Sequence, residues 1–136
     1  MSRSGYSDDY DGDHPIALYR QAVRRATMGY RGQHLLRRLR MALDAMPEKR
    51  LIDGAIKDKA GNVCALGAVD ATAPAYDEDD DQHAEKLGKH FGIATALAAE
   101  IVFMNDEAEW RPETPEERWT RMRKWVDEQI RVDDGA

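Results

Sequence analysis

Between Ile93 and Met104 only Thr95 and Glu100 are polar. As a helix these twelve residues rise about 18 Å, well short of the roughly 30 Å hydrocarbon core of a bilayer. A helix that is apolar on nearly every side and too short to cross a membrane has to be wrapped in protein. The run therefore predicts the central helix of the fold, and the rest of the chain has to supply the faces that cover it.

A small-residue segment, Val63-Cys64-Ala65-Leu66-Gly67-Ala68-Val69, holds the only cysteine. It predicts a short helix from Ala65 to Val69, with Gly67 allowing another backbone to come close. Before it, 51–56 and 62–64 flank a polar connector that ends in Gly61, which predicts a small β-hairpin near 51–64. Upstream, Asp13-His14-Pro15 signals a helix start with Pro15 in the first turn. Ile16, Tyr19, Ala22, Val23 and Ala26 follow at helical spacing. Gly29 and Gly32 then punctuate the chain. Leu35, Leu36, Leu39, Ala42, Leu43 and Met46 mark a second helix, which Pro47 ends. An acidic loop covers 71–81, and a short polar helix runs from His83 to His90 and stops near Gly92. Past the apolar run, Thr114-Pro115-Glu116-Glu117 reads as a capping box, and Trp119, Met122, Val126 and Ile130 form the buried stripe of a last helix, with Trp125 beside it. The fold class is mainly α, a compact bundle of four to five helices with a small β-hairpin. Residues 1–12 are expected to form a disordered acidic tail, 13–132 a single helical domain and 133–136 a second tail.

Charge is segregated along the chain. The net charge is −6, yet between Arg20 and Arg50 nine basic residues face only Asp44 and Glu48. Asp77, Glu78, Asp79, Asp80 and Asp81 are consecutive acids. Such separation suits recognition of a partner of opposite sign, and it equally suits mutual neutralisation within the fold. A lone cysteine cannot form an intramolecular disulfide, which fits a reducing compartment. With no signal-peptide core and no membrane span, a cytoplasmic location is expected, the host cytoplasm if the chain is phage-encoded.

The residues that carry chemistry are few. Cys64 sits among apolar neighbours, so a buried small hydrophobe is the leading reading and a nucleophile the minor one. His83 and His90 lie two turns apart on one helix, too far to share a zinc ion, and the acidic run lacks the calcium-loop pattern. Neither a metal nor a cofactor is expected. Asn105-Asp106-Glu107 closes the apolar helix, with Asn105 as its cap and the acids paired with the Arg-rich helices. Gly29-Tyr30-Arg31-Gly32 and the basic helix after it offer arginines for phosphates and an aromatic for a base.

Cys64-Ala65-Leu66-Gly67-Ala68, a helix such as 93–102, and then Asn105-Asp106 resemble a family of small uncharacterised phage and prophage proteins. The resemblance covers about 50–107. It implies a genomic setting rather than a reaction, and it transfers no catalytic residue. The leading expectation is a non-enzymatic phage-type accessory protein that binds a host macromolecule. In that reading it inhibits a host defence system, as an anti-CRISPR does, through the acids at 77–81, with Trp110 as an exposed anchor. The alternative is a nucleic-acid-binding module using Arg31, Arg37, Arg38 and Arg40. A second alternative is a small enzyme centred on Cys64. The expected partner is a host protein or protein–nucleic acid complex, with direct nucleic-acid contact in the alternative; a homo-oligomer is left open.

Overall fold

The computed structural model describes residues 8–75, 79–108 and 111–132, with 8–14 as backbone only. Among them run six helices: α1 (Asp8–Met28), α2 (Tyr30–Ala45), α3 (Ala65–Val69), α4 (His83–Phe91), α5 (Thr95–Asp106) and α6 (Pro115–Gln129). The chain is mainly helical, as its periodicity predicts, with one helix more than the upper expectation.

α1 starts at Asp8, ahead of the expected Asp13, so Pro15 lies inside the helix and not in its first turn. The helical backbone thus takes in 8–12 of the expected tail; residues 1–7 and 133–136 lie outside the described residues. The apolar period begins only at Ile16, which leaves the preceding residues with no helical signal to read. Gly29 alone separates α1 from α2. Gly32 is buried within the first turn of α2, where a β-carbon would run into the Ala26 carbonyl and the Leu97 side chain. It marks a close crossing of α1, α2 and α5, and no turn falls there.

α2 supplies the most deeply buried apolar face. Leu35, Leu36, Leu39 and Leu43 are all enclosed, in one buried cluster with Leu66 of α3, Leu87 of α4, Leu97 and Ile101 of α5, and Met122 and Val126 of α6. Its end is closed from outside the helix. Lys49 Nζ donates to the Asp44 and Met46 carbonyls at 2.6 Å each, and Trp119 Nε1 donates to the Leu43 carbonyl at 3.2 Å. α5 begins at Thr95 and buries Leu97, Ala98, Ile101 and Asn105. It is not wrapped on every side, because Phe103 is 46% exposed. α4 stops at Gly92 in the left-handed conformation, φ 73°, the usual exit of a helix through glycine. At α6 the full capping box forms: Glu117 N donates to Thr114 Oγ1 at 3.0 Å, and Thr114 N to Glu117 Oε1 at 2.9 Å.

The expected β-hairpin does not form. Among the described residues there is a single antiparallel bridge, Lys57 with Val63, and no strand. Ile52 N does reach the Val63 carbonyl at 3.0 Å and Cys64 N the Ile56 carbonyl at 3.1 Å. Between them Gly54 turns at φ 75° and breaks the register. Side chains take the groups a ladder would use: Arg118 binds the Leu51 carbonyl, Asn105 the Ile52 carbonyl, and the Asp58 carboxylate the amides of Ala60 and Asn62. Buried backbone groups must be partnered, and here they are partnered without a sheet. No single helix among the described residues is long and apolar enough to cross a membrane.

Candidate functional site

The segments 64–68 and 105–106 meet in space. Asn105, 2% exposed, accepts from Ala65 N, the first amide of α3, at 3.1 Å. Its Nδ2 donates to the Ile52 carbonyl at 3.0 Å and to Asp106 Oδ1 at 2.7 Å. Its own carbonyl accepts from Arg118 Nε at 3.1 Å and Arg121 Nη2 at 3.3 Å. Asn105 is therefore a buried tie between α5, α3 and the 51–54 segment, and the helix cap falls two residues on, at Glu107. The arginines around it come from α6 and not from the Arg-rich α1 and α2, contrary to expectation. Glu113, its side chain 6% exposed, bridges them, 3.3 Å from Arg118 and 2.6 Å from Arg121. The hydrogen bond from Arg121 holds its carboxyl below the usual range. Arg118, Arg121 and Glu113 were not foreseen, although the i, i+3 spacing of the two arginines puts both on one face of α6.

A small cavity opens beside this knot, lined by Cys64, His83, Ile101, Asn105 and Asp106 among others, with a volume of about 10 Å³. That is room for about one water molecule, where a small-molecule site needs roughly 300 Å³ or more. Cys64 caps α3, its Sγ accepting from Gly67 N at 3.4 Å. Burial pushes the thiol up to about 11, so at neutral pH it is neither a thiolate nor a ready nucleophile. Burial also raises the Asp106 carboxyl. A second contact between chemical groups joins His90 Nε2 to Asp70 Oδ2 at 2.8 Å. There Thr72 Oγ1 donates to Asp70 Oδ1 at 2.6 Å, so its hydroxyl is bonded to the carboxylate and not to the imidazole. Among the described residues no three His, Cys, Asp or Glu side chains lie close enough to hold a metal ion.

The outer face of α2 is different in kind. With 100° per residue, Tyr30, Arg31, His34, Arg37, Arg38 and Met41 fall within an arc of about 120°, opposite the buried leucines, and all six are exposed. From residue 20 to 43 the sequence holds seven arginines and no acid. Arg40 leaves this set, because it turns towards α6 and pairs with Asp127 at 2.9 Å. Arg37 donates to the Arg131 carbonyl at 3.2 Å and pairs with no carboxylate among the described residues. The nearest acid in sequence, Asp44, is occupied by Arg123 at 2.7 and 3.1 Å.

The acidic segment is described only in part, since Asp77, Glu78 and the proposed anchor Trp110 lie outside the described residues. Asp79 and Asp81 are exposed. Asp80 is engaged locally: it pairs with Lys86 at 2.6 Å and accepts from Gln82 N at 2.9 Å. The lysine holds its carboxyl below the usual range. Comparison with protein-family models, curated proteins and solved structures gives no match.

Proposed function

We propose that this chain is a non-enzymatic nucleic-acid-binding module that lays the outer face of α2 against a phosphate backbone. The observation that carries the reading is the division among its arginines. Arg40, Arg50, Arg111, Arg118, Arg121 and Arg123 each pair with a carboxylate. Arg31, Arg37 and Arg38 on α2, Arg20, Arg24 and Arg25 on α1, and Arg131 after α6 pair with none among the described residues. In a protein of net charge −6, six arginines on two adjoining helices without a carboxylate among the described residues suit a polyanion that releases its counterions on binding. The resemblance to phage proteins supplies the setting of the proposal: a phage-type accessory protein acting on nucleic acid or a nucleoprotein complex in its host. The rival, an acidic inhibitor surface at 77–81, has exposed Asp79 and Asp81 in its favour, while Asp80 is already committed to Lys86 and Gln82.

The test is a salt titration of binding to a labelled DNA strand. Three phosphate contacts give a slope of log K on log salt of about −2 for a single strand and nearer −3 for a duplex. Arg31→Ser and Arg38→Ser should each flatten it by a little under one. A target retained from bacterial lysate after nuclease treatment, and lost on neutralising Asp79 to Asp81, would instead establish the acidic surface. No binding to either strand form at low salt would end the α2 reading.

A further inference from the structure

We infer that the α2 face selects single-stranded nucleic acid by stacking an unpaired base on the Tyr30–His34 ring pair, while Arg31, Arg37 and Arg38 hold the adjoining phosphates; this rests on the reading of α2 as the nucleic-acid interface. Tyr30 is 84% exposed, and Met41 further along the face is 71% exposed. Neither side chain gains much from burial in its own fold. The rings of Tyr30 and His34 are parallel to within 8°, with centroids 6.5 Å apart. That separation is at the far end of ring–ring contact, about 4.5–7 Å. The two rings do little for each other and still offer flat, electron-rich surface to a third. Rings that are both exposed and held parallel on a rigid helix are pre-organised for a planar ligand, which lowers the ordering cost of binding.

Charge and periodicity then choose the ligand. Arg38 follows His34 by one turn, and Arg31 and Arg37 flank the stripe on either side. A ligand lying along the face thus meets aromatic surface and positive charge together. A planar group joined to a phosphodiester chain meets both demands. In a duplex each base is already stacked on both sides, so only an unpaired base has a π-face to give. With the three arginines committed to phosphates, no amide or carboxylate side chain lies in the arc to read base edges, so the recognition is sequence-tolerant, as on stacking platforms generally.

The experiment measures anisotropy of labelled oligothymidylate of about 16 nucleotides, an abasic strand of the same length, and a duplex, each against the full chain. Oligothymidylate is expected to bind at least tenfold tighter than the abasic strand and the duplex. Tyr30→Ala should weaken it roughly five- to hundredfold, leave the abasic strand unchanged, and be rescued by Tyr30→Phe. Circular dichroism confirms that the variants keep their helix content, which the exposure of residue 30 favours. Equal affinity for oligothymidylate and the abasic strand, or indifference to Tyr30→Ala, overturns base stacking. If Arg31→Ser and Arg38→Ser still weaken binding in that case, the phosphate-binding reading survives alone. If no strand binds, both fall.

Discussion

The Asn105 side chain spends both its polar groups on backbone or on Asp106, and the residue itself is buried. Truncating it leaves the buried Ala65 amide and the half-buried Ile52 carbonyl without partners, at about 1–3 kcal/mol for each. Asn105→Ala should therefore lose at least about 2 kcal/mol in urea unfolding; a loss under half of that would mean the cavity admits water to replace the amide. Cys64 is held as a protonated thiol by its burial. Its alkylation at pH 7.5 should be slow and keep pace with global unfolding, and Cys64→Ser, which preserves the acceptor at the head of α3, should fold normally. Rapid modification of the native protein would show that the thiol is accessible and revive the nucleophile reading. Both segments of this knot stood out in the sequence, through the lone cysteine and the end of the apolar run. Their meeting did not, since the residues are 40 positions apart and a buried polar tie has no periodicity.

At the scale of elements, the helices whose ends carry their own chemistry were the legible ones. Thr114 with Glu117, and Gly92 after Phe91, act through groups within a few residues, so sequence spacing reports them directly. Thr114→Ala should cost α6 about 1 kcal/mol, checked by thermal melting. Where an element depends on distant neighbours the sequence misleads. The 51–64 stretch has the polar, glycine-ending connector of a hairpin, yet its Leu51 and Ile52 carbonyls go to Arg118 and Asn105. Gly32 looks like a helix breaker, because glycine signals a turn and a close crossing in the same way. The distinction is testable. Gly32→Ala gains roughly 1 kcal/mol of helix propensity, but its methyl meets the Ala26 backbone carbonyl, which cannot swing aside as a side chain would. Overpacking costs of about 1–3 kcal/mol then dominate, and a net loss of stability is expected. A more stable variant would show that α1 and α2 separate freely at Gly29. On α2 itself the arginines were visible in the sequence, but the departure of Arg40 to Asp127 needed the position of α6.

For the whole molecule the decisive question is what its many carboxylates do as the pH falls. Asp44, Asp58, Asp70, Asp80 and Glu113 are all held below their ordinary values, by Arg123, Asn62, Thr72, Lys86 and Arg121 respectively as the largest cause. A carboxyl whose folded value is depressed stabilises the fold above its unfolded value and loses that contribution as the pH drops through the folded one. Unfolded Asp and Glu titrate near 3.9 and 4.3, and Asp70 in the fold near 2. Stability should accordingly change little from neutral pH to about 5, then fall between roughly pH 4.5 and 2. Asp106 has the opposite sign. Its folded value is raised by burial, so the ionised form strains the fold at neutral pH and protonation relieves it. Asp106→Asn keeps an oxygen to accept from Asn105 and removes the charge. The variant should melt higher than the parent at pH 7, and the difference should shrink as the pH falls and the parent's Asp106 takes up its proton. Melting curves of both proteins from pH 7 to pH 3 decide it: a difference that stays constant with pH would mean the aspartate acts by shape alone, and a lower melting point at pH 7 would mean that Arg118 repays its charge in full.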